Sequence, residues 1–183
     1  MARPREFDMD TALSGAMDVF WRQGYQGTNL PELLGAMGLT RGSFYKAFDD
    51  KESAYLAALD QYDRIIVDKT VDNLARCRDP DAATCLSLLF EGSGDPTRGC
   101  FICNAMVELA PFNPQVADKA NQMAARLQQA ILQVLTRHKP DLESGHAADL
   151  ADVILHLYFG HQAIGKARNR KEDWLARLRE LLN

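Results

Sequence analysis

The chain has 183 residues, of which 46% are hydrophobic and 25% charged, and a formal net charge of −4. Those proportions are ordinary for a folded globular protein and exclude disordered and fibrous classes. The negative balance excludes a protein that coats nucleic acid non-specifically, yet leaves room for a local basic surface. The length suits one large domain, or a domain of about 50 residues joined to a larger one. No run reaches the roughly 18 apolar residues that span a bilayer, and Met1-Ala2-Arg3-Pro4-Arg5-Glu6 lacks the apolar stretch of a secretory signal, so a cytoplasmic protein without a membrane partner is expected. Four cysteines, Cys77, Cys85, Cys100 and Cys103, are too few for a disulfide scaffold, and a reducing compartment is expected to keep them as thiols.

From Asp10 to Gln23, the residues Ala12, Leu13, Ala16, Met17, Phe20 and Trp21 recur at helical spacing, and Gly24 supplies a stop. Asn29-Leu30-Pro31-Glu32 then reads as a capped start, with Glu32 placed to reach back in a capping box. This second helix runs to about Met37, and Leu30, Leu33, Leu34 and Met37 make its single apolar stripe. After a turn at Gly38-Leu39, Thr40 caps a third helix through Phe48, with Phe44 and Phe48 facing inward. Asp49 and Glu52 repeat the capping pattern at the start of a long helix from about Lys51 to Arg76, which exceeds what a 50-residue domain needs and bridges two domains, 1–50 and 51–183. Further helices are predicted near Ala82 to Glu91, from Gly99 toward Pro111, and over Pro114 to His138, Gly145 to Arg168 and Lys171 to Leu182. No alternating run reads as a strand, so the predicted fold is all-α.

A helix, a glycine-containing turn and a short helix rich in Arg, Ser, Tyr and Lys is the layout of a helix-turn-helix, here Leu30 to Phe48. Arg41 suits a guanine edge and Lys46 a base or phosphate. Asn29, Thr40, Ser43 and Tyr45 offer polar groups to phosphates, Gly42 permits close approach, and Lys51 sits at a helix N-terminus whose amides favour an anion. Arg3 and Arg5 suit an adjacent minor groove. Residues 1–51 hold six Lys or Arg against seven Asp or Glu, so placement rather than total charge carries this reading. By composition alone, the same side chains read equally well as a solvated helix face.

The stretch Ala16-Met17-Asp18-Val19-Phe20-Trp21-Arg22-Gln23-Gly24-Tyr25-Gln26-Gly27-Thr28, followed by Leu33 through Glu52 with its Gly38 turn, Phe44-Tyr45 pair and closing Phe48-Asp49-Asp50-Lys51-Glu52, resembles the N-terminal domain of TetR-family repressors. The likeness covers about the first quarter of the chain and departs from the usual pattern at Pro31 and Lys46. It implies a palindromic double-stranded operator bound by a homodimer, a helical effector-binding domain, and a dimer interface from the last two long helices. Leu150, Val153, Ile154, Leu157, Tyr158 and Ile164, with Gly160 and Gly165, and then Trp174, Leu178, Leu181 and Leu182, fit such an interface or an intramolecular core. The residues available to enclose a largely apolar small-molecule effector are Tyr62, Phe90, Cys100, Phe101, Cys103, Asn104, Phe112, Met123, Tyr158, His161 and Gln162.

Arg98-Gly99-Cys100-Phe101-Ile102-Cys103-Asn104 with Glu108-Leu109-Ala110-Pro111 resembles a Gly-Cys...Asn...Glu-Leu-Ala-Pro stretch of one TetR subgroup. At a helix N-terminus beside Arg98, the Cys100 thiol is expected to lie low enough for partial thiolate character, which allows an oxidant or electrophile sensor built on Cys100 and Cys103. The alternative is a pair of small buried hydrophobes. A lone cysteine pair lacks the further ligands of structural zinc, and His138, His146, His156 and His161 are distant in sequence, so neither metal nor cofactor is expected. A thiol oxidoreductase needs the pair after a strand, and no nucleophile-base set points to any other enzyme. A helical interaction protein without DNA binding is the remaining class.

Overall fold

The computed structural model describes residues 8–91, 97–165 and 173–183. Arg3 and Arg5 lie outside the described residues. Among those described there is no strand, and the all-α architecture stands. Helix α1 (Met9–Gly27) is capped by Asp8, whose carboxylate accepts from the Asp10 and Thr11 amides. Gly24 interrupts it with φ 80°, a left-handed conformation that favours glycine, so the stop falls where the sequence places it and a last turn follows. Helix α2 (Leu30–Met37) begins at Asn29, which accepts from the Glu32 amide at 3.0 Å, and ends at Gly38 with φ 63°. Helix α3 (Arg41–Ala47) begins at Thr40, which accepts from the Ser43 amide.

These three helices close on Ala16, Phe20, Leu33 and Phe44, each with no exposure, and the α1–α2 crossing is tight. A Cβ added at Gly15 would stand 2.0 Å from the carbonyl oxygen of Ala36 and 2.7 Å from its carbon. Small size there is a requirement of backbone contact rather than of turn geometry.

Asp50, not Asp49, caps the long helix, accepting from the Ser53 amide at 2.7 Å. Both aspartates fit the sequence rule; the one with a serine three residues on holds the position. The long helix itself is α4 (Lys51–Tyr62) continued by a π-helical turn (Asp63–Val67) into α5 (Asp68–Arg76). Arg126 of helix α8 (Pro114–His138) pairs with both Asp63 and Asp68, and Lys119 pairs with Asp60. Helix α6 (Ala82–Ser87), α7 (Phe101–Glu108), α9 (Ser144–Gly165) and α10 (Trp174–Leu182) complete the bundle around α8. A single buried cluster runs from α1 to α3 through α4 into α7, α8 and α9. Its axis is a series of edge-on aromatic pairs: Phe20 on Tyr55 at 5.0 Å, Tyr55 on Phe101 at 5.5 Å, Phe101 on Tyr62 at 5.6 Å and Tyr62 on Trp21 at 5.0 Å. Each such pair adds about 0.5–1.5 kcal/mol to the area it buries.

The four cysteines do not all remain thiols. Cys77 and Cys85 form a disulfide, because the turn through Asp79-Pro80 brings their Cα atoms to 5.7 Å, inside the span a disulfide bridges. Cys100 and Cys103 are free. No helix among the described residues is long and apolar enough to cross a membrane, and no His, Cys, Asp or Glu group among them could hold a metal ion.

Candidate nucleic-acid interface and effector cavity

Helix α3 buries Phe44 completely and Phe48 to 8% exposure, which fixes the rotation of its other side chains. Arg41, Gly42, Tyr45 and Lys46 are therefore exposed, and Ser43 is half-buried beside the Thr40 cap. The Arg41 guanidinium lies 5.9 Å from the centre of the Tyr45 ring, and Tyr45 stands edge-on to Phe44, so the two outward groups are braced from beneath. Asn29 is occupied as a cap and exposed at its rim. Lys51 takes a different course: it is half-buried, with its ammonium 4.3 Å from the Tyr25 ring centre. Burial pulls the Lys51 pKa down, against an opposing pull from Glu108.

The same region is fastened to the second half of the chain. The Glu108 carboxylate accepts from the Tyr25 amide at 2.9 Å and the Gln26 amide at 2.8 Å, spanning the Gly24 break. A Cβ at Gly24 would meet this carboxylate at 2.7 Å. Trp21 donates its indole N–H to the Gly99 carbonyl at 2.9 Å, Arg98 pairs with Asp18 at 2.5 Å and stacks on Trp21, and Asn104 donates to the carbonyls of Trp21 and Arg98. Segment 98–108 thus grips α1 directly.

Behind Trp21 lies a cavity of about 290 Å³. Three of the sequence-named residues line it, Tyr62, Tyr158 and Gln162, together with Trp21, Ile66, Lys69, Thr70, Asn73, Leu88, Leu89, Glu91 and Gly99. Cys103 and Asn104 line a separate cleft of about 370 Å³ with Arg22, Gln23, Gly24, Val107, Glu108 and Ala163. The other named residues are elsewhere. Phe90 stacks on Trp174 at 4.2 Å, and His161 Nδ1 accepts from the Trp174 indole at 3.1 Å, forming a wall beside Tyr158. Phe101 and Met123 are packed in the core, while Phe112 is 84% exposed and lines neither space. Trp21 reads in sequence as helix-one core, and Lys69, Thr70 and Asn73 escape notice. Their only signal is polar side chains at one-turn spacing on a mostly polar helix that buries Leu74 alone.

Cys100 corrects an expectation. It is the N-cap residue of α7, with Sγ 3.7 Å from the Tyr62 hydroxyl, but it is 1% exposed, and burial pushes its thiol up despite hydrogen bonds from the Cys103 amide and Tyr62 that act the other way. Arg98, the cation expected to help, is engaged with Asp18 and Trp21. The helix dipole is outweighed by desolvation. Alkylation by iodoacetamide at pH 8 should consequently modify half-buried Cys103 at least about tenfold faster than Cys100, read by site-resolved mass spectrometry. Equal rates at the two sites would contradict this burial.

A profile described as "Bacterial regulatory proteins, tetR family" matches residues 12–58. The chain is 28% identical over 165 residues to the HTH-type transcriptional repressor ComR of Escherichia coli (strain K12), covering 84% of this chain and 78% of ComR. It is similar to the solved TetR family transcriptional regulator CifR, a cysteine mutant complexed with 26bp double-strand operator DNA, at 31% identity and a TM-score of 0.79, with 97% of each chain covered. The reduced form of Escherichia coli NemR, at 20% identity and a TM-score of 0.75, covers 92% of this chain and 91% of its own and shares the fold. An N-terminal helix-turn-helix, a helical second part and these likenesses lead to one assignment: the chain belongs to the TetR family of bacterial transcriptional regulators, DNA-binding proteins and not enzymes.

Proposed function

We propose that the chain is a cytoplasmic, effector-responsive repressor that binds a palindromic operator as a homodimer, with residues 1–50 as the DNA-binding unit and 51–183 as the effector and dimer unit. The observation that carries this is α3, which turns Arg41, Tyr45 and Lys46 outward over a fully buried Phe44. In this reading Arg41 meets a base edge in the major groove, and Tyr45, expected from sequence at a phosphate, joins it there because its exposed ring projects beside the Arg41 guanidinium, while Asn29, Thr40, Gly42, Ser43 and Lys46 meet the backbone. Lys51 braces Tyr25 and reaches a phosphate only through its helix end. Arg3 and Arg5 serve the minor groove.

The dimer face is α9 with α10. Val153, Leu157 and Ile164 are 46%, 38% and 56% exposed, and they fall with Gly160 at i, i+4, i+7 and i+11. Nothing lies within 4 Å of a Cβ on Gly160, so the stripe faces outward and invites close approach by a second copy. The effector occupies the cavity behind Trp21, whose walls belong to α1, the long helix and the Gly99 segment at once. A ligand there bears on the residues that hold α1, which supplies the differential contact that a shift between DNA-competent and released states requires.

Sedimentation of the purified chain, alone and with duplex DNA from upstream of its own coding sequence, tests the reading. A dimer that binds this duplex more tightly than a shuffled one is expected. A monomer, or equal binding to both duplexes, would overturn it.

A further inference from the structure

The Cys77–Cys85 disulfide takes no part in the DNA face or the cavity, and its two ends are unlike. Cys77 is half-buried at the end of α5, whereas Cys85 has no exposure. The turn between them is wrapped in basic groups. Arg137 donates to the carbonyls of Ala75 and Cys77 at 3.2 and 2.9 Å, and Arg78 donates to the same two at 2.8 and 3.0 Å. His138 lies with Nδ1 2.8 Å from the Val134 carbonyl and Nε2 2.9 Å from the Asp79 carbonyl, and with Nε2 4.0 Å from Cys85 Sγ. His138 Nε2 is placed to share a hydrogen bond with Cys85 sulfur as that sulfur departs.

We propose that Cys77–Cys85 is a thiol–disulfide exchange site, whose co-reactant is a low-molecular-weight thiol of the glutathione class entering at Cys77. Disulfides with a reachable sulfur are the labile ones, and a regulator acting on DNA in a reducing compartment meets such thiols continuously. The incoming thiolate attacks Cys77 Sγ, the Cys77–Cys85 bond breaks, and Cys85 leaves as a thiolate beside His138. A second thiolate then attacks the small-molecule sulfur of the mixed disulfide and releases Cys77. Two small thiols become one small disulfide, and the protein gains two thiols. Opening the bond removes the covalent tie between α5 and α6, while Arg179–Asp81 still holds the start of α6 to α10.

The full chain equilibrated with mixtures of reduced and oxidised glutathione, acid-quenched, differentially alkylated and read by site-resolved mass spectrometry tests this. The pair is expected to move between bonded and dithiol forms as the ratio changes, with helical circular dichroism retained. With oxidised glutathione, Cys85→Ser is expected to carry the adduct on Cys77, at least about tenfold more than Cys77→Ser carries on Cys85. A bond that opens only with loss of helical signal, one that stays closed at every ratio, or an adduct favouring Cys85 overturns the proposal. If either variant fails to fold, the unmodified chain decides.

Discussion

Alanine at both Arg41 and Tyr45 is expected to weaken binding to the upstream duplex by about 10²- to 10³-fold. A well-placed side chain on a base edge contributes about 1–3 kcal/mol, and each 1.4 kcal/mol is roughly tenfold. Both groups project from a helix whose rotation is fixed by Phe44 and Phe48, so their truncation leaves the core untouched. Circular dichroism and sedimentation should match the parent chain. Lys46→Ala should act differently, weakening all duplexes alike and reducing the salt slope by about one. Fluorescence anisotropy over a salt series separates the two patterns. Unchanged affinity in the double variant would mean that α3 is not the reading element.

Gly15→Ala should be among the most damaging single-methyl changes in the molecule. The added carbon would stand 2.0 Å from the Ala36 carbonyl oxygen, and both partners are helical backbone, which has no rotamer with which to yield. Helices α1 and α2 must separate, loosening the Leu33 and Phe44 packing beneath α3. The cost should reach about 3 kcal/mol, the upper end of ordinary overpacking, and lower Tm by roughly 6–12 °C in a chain of this size. Gly35→Ala on the facing helix is the matched control: its Cβ meets nothing within 4 Å, and alanine is favoured over glycine in a helix interior by roughly 0.5–1 kcal/mol. A Gly15 variant as stable as the parent would refute the close crossing.

The first fifty residues are legible because their signals are local. Asn29 and Thr40 cap the helices they precede, Gly38 takes the left-handed turn, and Phe44 and Phe48 fall one turn apart. Each is decided within four residues of chain. What the sequence leaves obscure depends on partners far away. Glu108 reaches amides more than eighty residues distant, and nothing near it distinguishes it from a solvated helix end. The rule that a helix N-terminus activates a thiol holds only while the thiol keeps some solvent, and whether Cys100 does so is settled by packing from other helices, which leaves it 1% exposed. The pairing of Cys77 with Cys85 turns on the course of the Asp79-Pro80 corner, which spacing alone does not give. Phe112 and Phe101 are equally apolar as letters, yet one is 84% exposed and the other not at all.

The π turn at Asp63–Val67 sets a ruler between two helices. Asp60 and Asp68 are eight residues apart, a separation that leaves them about 80° out of line on an unbroken α-helix. Their partners Lys119 and Arg126 are seven apart on α8, close to one face. The surplus residue of the wider turn takes back most of that angle, so Asp60, Asp63 and Asp68 fall into a row opposite the two cations. Acids spaced eight apart meet bases spaced seven apart only through this mismatch in pitch, and the charge pattern of the long helix is therefore written for a helix that is not α throughout.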